Sequence, residues 1–291
     1  MTYEGLYRQA IDELKSAGVP EAELSAWYLL EYSVGDGFFD RAYFYLHGDD
    51  EVSDDIVLRL GTFVEYRKKR VPLEYITHRT QFMGLDFYVD ADVLIPRQDT
   101  ETLVCEALKF SAGRDVLDIC TGSGCIAVSI AGLGRPESVT ASDKSLPALS
   151  VAKKNAAANN ADIEFVRADI WDEVSDEPVS GYKGKLNKRF DLIISNPPYI
   201  RRHDMDLLMP EVKEYEPVMA LDGGEDGLFF YKKILDGIKD HIRPDGIVLF
   251  EIGFDQAEDV SELMRSSGLD GIEVIRDLAG KDRVVRGGYY V

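Results

Sequence analysis

The chain of 291 residues carries 33 basic and 53 acidic side chains, a net charge of −20 at pH 7, with 45% hydrophobic residues, 25 glycines and 11 prolines. Such a length suits two domains or one large one, and ordinary glycine and proline usage excludes a collagenous or wholly disordered chain. The negative field repels nucleic-acid phosphates, which argues against autonomous DNA binding.

In chain order, the first helix is predicted from the spacing of Leu6, Ala10 and Leu14, closed by Gly18 and Val19-Pro20. A second runs through Leu24, Trp27, Tyr28 and Leu30 to about Ser33. A third starts at the cap Ser53, sets Asp54 and Asp55 against the helix dipole and carries Leu58, Leu60, Phe63 and Val64. It ends in Arg67-Lys68-Lys69-Arg70 before Pro72, a basic run that reads as a solvated helix end, with contact to an acidic partner or ribosomal RNA as the alternative. Residues 1–80 hold nine basic and fifteen acidic residues, so this helical block is no basic clamp. From Gln81 to Pro96 short β-rich pieces around Met83-Gly84 and Val89-Asp90 predict a hairpin linker.

Strands and helices then alternate. Asp115 to Cys120 is a strand, Gly124 to Ala131 a helix, Ser138 to Ser142 a strand, and Ser145 caps a helix with Leu149, Ala152 and Ala156 on one face. Strands near Ile163 to Arg167 and Phe190 to Ser195 follow, separated by a long surface loop from Asp172 to Arg189. Tyr231, Ile234, Leu235 and Ile238 mark a helix stopped by Pro244-Asp245-Gly246. Ile247 to Ile252 is a buried strand, Ala257 to Met264 the last helix, and Ile272 to Ile275 and Arg283 to Tyr290 the closing strands. The pattern is an α/β fold with buried parallel strands.

Two constellations carry chemistry. Cys120-Thr121-Gly122-Ser123-Gly124 is a glycine turn between a strand and a helix N-terminus, and Asp143 ends the next strand, where a carboxylate can accept both hydroxyls of a ribose. Both features suit a nucleoside-type cofactor; Ala127 stands where a GxGxxG dinucleotide motif wants glycine, which weakens an NAD reading without closing it. Asn196-Pro197-Pro198-Tyr199 follows an apolar strand, where ligands of such sheets bind. Each proline keeps the residue before it extended. The Asn196 side-chain oxygen and the Pro197 carbonyl are then a fixed acceptor pair for the two hydrogens of a planar NH2, with Tyr199 covering its flat face.

DICTGSG, the Asp143 strand end and SNPPY resemble a class I S-adenosylmethionine-dependent methyltransferase of planar nitrogen. PLEYIT, LIPR, EYEPVMALDGGEDGL, FEIGFDQAE and RDLAGKDRVV are similar to the release-factor glutamine methyltransferases of the HemK/PrmC type. The resemblance implies a Rossmann-like methyltransferase sheet at 97–291, a small N-terminal helical domain at 1–80 that helps dock the substrate, and a β-hairpin linker at 81–96. It implies S-adenosylmethionine as cofactor and N5-methylation of the glutamine in the Gly-Gly-Gln motif of peptide chain release factors. It puts the methionine part of the cofactor on Cys120 to Gly124, the ribose on Asp143 and the adenine near Asp169 and Ile170. Asn196 borders the cofactor, and Asn196 to Tyr199 hold the glutamine. The chain departs from the family where Gln98 and Asp99 replace the Pro and Glu of PRPETE, and where Cys120 replaces a common glycine.

An amide nitrogen shares its lone pair with the carbonyl, the resonance behind the ~18–20 kcal/mol peptide rotation barrier. No general base suggests itself, so orientation by Asn196 and Pro197 is the expected device. The rival enzymatic reading is N6-adenine methylation of DNA or RNA, whose amine offers the same two donors; a net charge of −20 disfavours it. A non-catalytic S-adenosylmethionine-binding or partner-docking protein is a third reading, disfavoured by the intact Asn-Pro-Pro-Tyr. The three cysteines form no CxxC and the four histidines no ligand pair, so no metal is expected; Cys105 and Cys125 read as small core residues. Asp222 to Gly227 reads as a turn that caps the following helix, with a cleft-lining role as the alternative, and His203 as a lone exposed histidine rather than one at the mouth of the site. With no apolar run near the ~18 residues of a membrane helix and no hydrophobic block from Met1 to Leu14, the expected address is the cytoplasm.

Overall fold

The computed structural model describes residues 1–35, 38–174, 182 and 186–290. They divide into two units, one of residues 1–79 and 209–215 and one of residues 80–208 and 216–291. The expected loop from Asp172 to Arg189 falls largely outside the described residues, at 175–181 and 183–185.

The first unit is helical: α1 (Tyr3–Ser16), α2 (Ala22–Val34), α3 (Arg41–His47), α4 (Asp54–Lys68) and α5 (Leu73–Thr77). Leu6, Ala10 and Leu14 are buried on α1 as their spacing requires, against Trp27, Leu29 and Leu30 of α2 and Ile56, Leu60 and Val64 of α4. Leu24, Tyr28 and Leu58, which the sequence puts among the apolar positions, are exposed instead. α3 carries no buried residue, which is why apolar periodicity gives no sign of it. The basic run is not solvated at its ends. Arg67 is buried, and Arg67 and Arg70 converge on Glu211 of the segment 209–215 at 3.1 and 2.6 Å. This shared carboxylate, with the Tyr215 hydroxyl on the Lys69 carbonyl at 2.6 Å, ties that segment into the helical unit.

The second unit opens with a hairpin, β1 (Thr80–Phe82) and β2 (Leu85–Phe87), turning at Met83 and Gly84, both at positive φ as a two-residue hairpin turn demands. Val89-Asp90 lies outside any strand. The alternation then runs α6 (Thr100–Leu108), β3 (Asp115–Ile119), α7 (Cys125–Leu133), β4 (Ser138–Asp143), α8 (Leu146–Ala158), β5 (Glu164–Asp169), β6 (Asp172–Glu173) and β7 (Phe190–Ser195). After β7 the chain passes through α9 (Pro210–Tyr215), which belongs to the helical unit, and returns with α10 (Phe229–Asp236), α11 (Ile238–His241), β8 (Ile242–Glu251), α12 (Ala257–Ser266), β9 (Asp270–Arg276) and β10 (Asp282–Tyr289).

The main sheet has the order β6-β5-β4-β3-β7-β8-β10-β9. Its strands β5, β4, β3, β7 and β8 run parallel, and β10 and β9 close one side antiparallel. Strand alternation divides the core into two. Val116, Leu192 and Ile194 face the layer of α6, α7 and α8, whereas Leu117, Ile119 and Ile193 face the layer of α10 and α12. β3 is the switch point, with β4 on one side and β7 on the other, so the ends of β4, β3, β7 and β8 line one edge where ligands of such sheets bind.

The helix predicted to stop at Pro244 ends earlier, and Pro244 to Gly246 lie inside β8. Gly237 separates α10 from α11, and Trp171 sits against the backbone there: a Cβ at 237 would meet the indole at 2.4 Å. α6, nine residues long, is not among the helices expected from the sequence.

Candidate active site

β3 delivers the chain into the glycine turn. Cys120 takes φ +61°, Gly122 +54° and Gly124 +81°. Cys120 thus stands at a left-handed position where glycine is the unstrained choice, the physical content of its departure from the family pattern. A Cβ at Gly122 would meet nothing within 4 Å, so that face of the turn lies open to a ligand. Gly124 serves packing instead: a Cβ there would meet Ala152 of α8 at 3.0 Å. Ser123 is buried, its carbonyl accepting from Asn155 at 2.9 Å.

Two carboxylates brace the turn. Asp118 is fully buried on β3; one of its oxygens accepts from the Thr121 hydroxyl at 2.6 Å and from the Ala127 N–H at 3.2 Å. Burial pushes its pKa up to about 7 against those two bonds. Asp143, at the end of β4, accepts from the Gly122 N–H and the Ser145 N–H, both at 2.9 Å, one on each oxygen. The Lys144 N–H also favours the charged carboxylate, which holds the turn and keeps what is left of its roughly four lone-pair sites for vicinal hydroxyls. At the end of β5, burial works against the Asp169 charge, but Lys144 and Lys233, at 2.9 Å on separate oxygens, outweigh it and hold its pKa down. Ile170 beside it is buried at φ +63°.

Asn196, Pro197, Pro198 and Tyr199 leave β7 in irregular backbone, with both prolines buried and Asn196 and Tyr199 half-buried. The Asn196 Nδ2 donates to Thr100 Oγ1 at 3.3 Å. Among the described residues no donor is bonded to Asn196 Oδ1 or to the Pro197 carbonyl, so both oxygens are available together. The Tyr199 hydroxyl is tethered inward to Glu251 Oε1 at 3.3 Å, and burial raises its pKa. Gln256 donates to the Tyr199 carbonyl at 3.1 Å. The turn after Asp222 packs on the same backbone: a Cβ at Gly223 would meet Tyr199 Cα at 2.7 Å, and one at Gly227 the Tyr199 carbonyl at 2.5 Å. It therefore supports the tetrapeptide from behind while leading into α10.

The segment before α6 is wired into this support. Arg97 pairs with buried Glu216, Asp99 with Arg283 at 3.0 Å, and Glu101 accepts from the Met83 N–H at 2.7 Å. Sequence reasoning misses Thr100, Asp118 and Glu251. The two acids have a usable signal, a carboxylate inside or at the end of an apolar strand, where only a partner or a function keeps it; Thr100 has none. Cys125 is a buried small residue whose thiol burial pushes up to about 12, but Cys105 is exposed on α6, against expectation. His203 is exposed.

A mostly parallel sheet of this order, with a glycine turn and an acid at its switch point and Asn-Pro-Pro-Tyr after β7, defines a class I S-adenosylmethionine-dependent methyltransferase. The methyltransferase small domain family matches residues 98–212, and the PrmC N-terminal domain family residues 5–77. A release factor glutamine methyltransferase of Clostridium acetobutylicum is 39% identical over 86% of this chain and 87% of its own length. Another, from Clostridium botulinum, is 34% identical over 100% of both chains. The crystal structure of a methyltransferase from Pyrococcus furiosus shares the fold, with a TM-score of 0.53 at 21% identity, covering 72% of this chain and 91% of that one. The chain belongs to the release factor glutamine methyltransferase family, and no helix among its described residues is long and apolar enough to cross a membrane.

Proposed function

We propose that this chain methylates the side-chain nitrogen of the glutamine in the Gly-Gly-Gln motif of class I peptide chain release factors. The observation that carries the reading is the acceptor pair: Asn196 turns its NH2 to Thr100, which leaves Oδ1, like the Pro197 carbonyl, without a donor among the described residues. Two such oxygens hold a planar NH2 by both hydrogens and direct its lone pair along one line. Bound S-adenosylmethionine supplies a methyl group made electrophilic by its sulfonium.

The chain's residues do the rest. The open face of Gly122 and the N-terminus of α7 receive the methionine part along Cys120 to Gly124, and the remaining Asp143 lone pairs take the ribose hydroxyls. Asp169 has its carboxylate held by lysines, so it and Ile170 border the adenine through backbone and shape. Tyr199, fixed at its hydroxyl, covers the amide. Orientation of this kind contributes on the order of 7–11 kcal/mol to lowering a barrier. As nitrogen gains positive charge, the two carbonyl dipoles favour it.

An adenine amine would fit the same oxygens, so charge decides between acceptors. Arg201 and Arg202, just past the tetrapeptide, are engaged by Asp255 and Asp204 and by Asp222 and Glu225. These two cations are thus neutralised within the chain, and the net charge of −20 opposes a phosphate backbone. The helical unit presents Tyr45, Leu46 and Leu58 to solvent as a surface for the protein substrate in the cytoplasm. Mass spectrometry of a release factor and of an oligonucleotide, each incubated with enzyme and donor, tests the assignment. The expected result is one added methyl on the Gly-Gly-Gln glutamine, and methyl incorporation into the oligonucleotide alone would overturn it.

A further inference from the structure

We propose that Asn155 of α8 is a positioning residue for the methyl donor. Its side-chain amide locks the Ser123–Gly124 peptide in the orientation that leaves the N-terminus of α7 open, and it takes its own orientation from the hairpin segment at Tyr88. The inference rests on the reading of Cys120 to Gly124 as the seat of the methionine part of S-adenosylmethionine.

Asn155 is 1% exposed inside α8, where asparagine is a poor helix former and a buried amide is costly unless bonded. Its Nδ2 donates to the Ser123 carbonyl and to the Tyr88 carbonyl, each at 2.9 Å, and its Oδ1 accepts from the Tyr88 N–H at 2.7 Å. Two carbonyls and one N–H admit only one orientation of the amide. Tyr88 directly follows β2, whose last residue, Phe87, is buried against Phe82. The backbone to which the asparagine is fastened is therefore itself held by the core. Asn159, one turn further along α8, donates to the Asp86 carbonyl at 3.0 Å and to the Asn155 carbonyl, so it secures the hairpin from the helix without touching the glycine turn.

The turn needs such a lock because of its own composition. Gly124 stands at φ +81°, and glycine adopts either sign of φ, so its own sterics do not stop the Ser123–Gly124 peptide from turning over. Two bonds oppose that motion: the Gly124 N–H donates to the Thr121 carbonyl at 2.8 Å, and Asn155 holds the Ser123 carbonyl. Turned over, that carbonyl would set a partial negative charge at the N-terminus of α7, where N–H groups should receive the carboxylate of the donor. The glycine that admits the ligand thus makes the turn ambiguous, and a buried amide from the next helix removes the ambiguity.

Calorimetric titration of S-adenosylmethionine into the full-length protein tests the lock, with urea unfolding of each variant measured beside it. Without the lock the turn populates conformations that do not bind, and the donor dissociation constant rises by the inverse of the competent fraction. N155A is expected to weaken donor binding about tenfold. N159A loosens the same hairpin and is expected to lose stability, yet to bind the donor within about twofold of wild type. In steady-state methylation of a purified release factor, the N155A deficit is expected in KM for the donor and to vanish as the donor approaches saturation. In the wild type, the nitrogen-15 signal of the Asn155 side-chain NH2 is expected to shift when the donor saturates, since its partner carbonyl lies in the occupied turn. The lock is overturned if N155A binds the donor as the wild type does, if N159A weakens binding as much as N155A, if the N155A deficit persists at saturating donor, or if the Asn155 signal stays in place. D143A, measured alongside, separates the two claims. Weakened binding in D143A with wild-type binding in N155A removes the lock and leaves the donor site, whereas unchanged binding in both removes the donor-site reading itself.

Discussion

The glycine-turn side of the site and the Asn-Pro-Pro-Tyr side are built at different ranges along the chain. Around Cys120 to Gly124 the bracing bonds are local: Thr121 to Asp118 spans 3 residues, Ala127 to Asp118 spans 9, and Gly122 to Asp143 spans 21. Around Asn196 to Tyr199 they are distant, with Thr100 contributing from 96 residues away, Gln256 from 57 and Glu251 from 52. The first half is a strand, a turn and a helix braced from the next strand and helix, its longest span the 32 residues from Ser123 to Asn155. The second is a short irregular segment whose shape is imposed by four other parts of the chain. A local motif tolerates change elsewhere in the fold, whereas an imposed one fails when any of its supports moves.

The sharpest way to break that contrast is at Asn196 itself. N196A removes one of two oxygens from the acceptor pair and is expected to lower turnover by about 10²–10³-fold, as loss of one positioned hydrogen-bonding group does elsewhere. Binding of S-adenosylmethionine, followed by calorimetry, should persist, because the local half keeps its own bonds. Loss of donor binding in N196A would show that the two halves are one unit. The mirror experiment is D143A, which strips the turn of its brace on Gly122 and its ribose acceptors together. Hydrogen bonds to a charged group are worth about 1.5–3 kcal/mol, so donor affinity should fall by at least about tenfold. An unchanged dissociation constant would remove Asp143 from the donor site.

A smaller effect is expected behind the tetrapeptide. G223A places a methyl group 2.7 Å from Tyr199 Cα and 2.9 Å from the Pro198 carbonyl oxygen, backbone on both counts. Overpacking of this kind costs about 1–3 kcal/mol, and the strain falls on the acceptor tetrapeptide. Thermal unfolding and turnover should both drop while donor affinity holds. A G223A enzyme with normal turnover would mean that the turn packs on the motif without shaping it.

The same difference in range explains what could be read from the sequence. The strands β3, β4 and β7, the Ser145 cap and the hairpin turn each have their cause within a few neighbouring residues, so periodicity and turn chemistry reveal them. Residues of Asn196 to Tyr199 are visible for the same reason, because two prolines fix their own backbone. The supports are not. Thr100 looks like any helix-start threonine until the fold brings it to Asn196, and Glu251 like the polar end of an apolar strand until it is found buried under Tyr199. The run Arg67 to Arg70 misleads in the same way: its partner Glu211 lies 144 residues from Arg67, and no local rule connects them. Leu58 shows the reverse error, a large apolar residue on α4 that the packed bundle leaves outside.

The smallest expected effect tests the local half at its weakest point. Cys120 sits at φ +61°, a conformation that costs a residue with a side chain about 1–2 kcal/mol. Replacing it by glycine relieves that cost but raises the entropy of the unfolded chain by about 0.4–1 kcal/mol and gives up the half-buried sulfur. The terms nearly cancel, so C120G should differ from wild type by no more than about 1 kcal/mol in urea unfolding. Valine at the same place keeps the strain and adds branching at the carbon that clashes, so C120V should be clearly less stable than either. A glycine variant as unstable as the valine one would mean that sulfur packing, rather than backbone strain, governs this turn, and that even the local half leans on its surroundings.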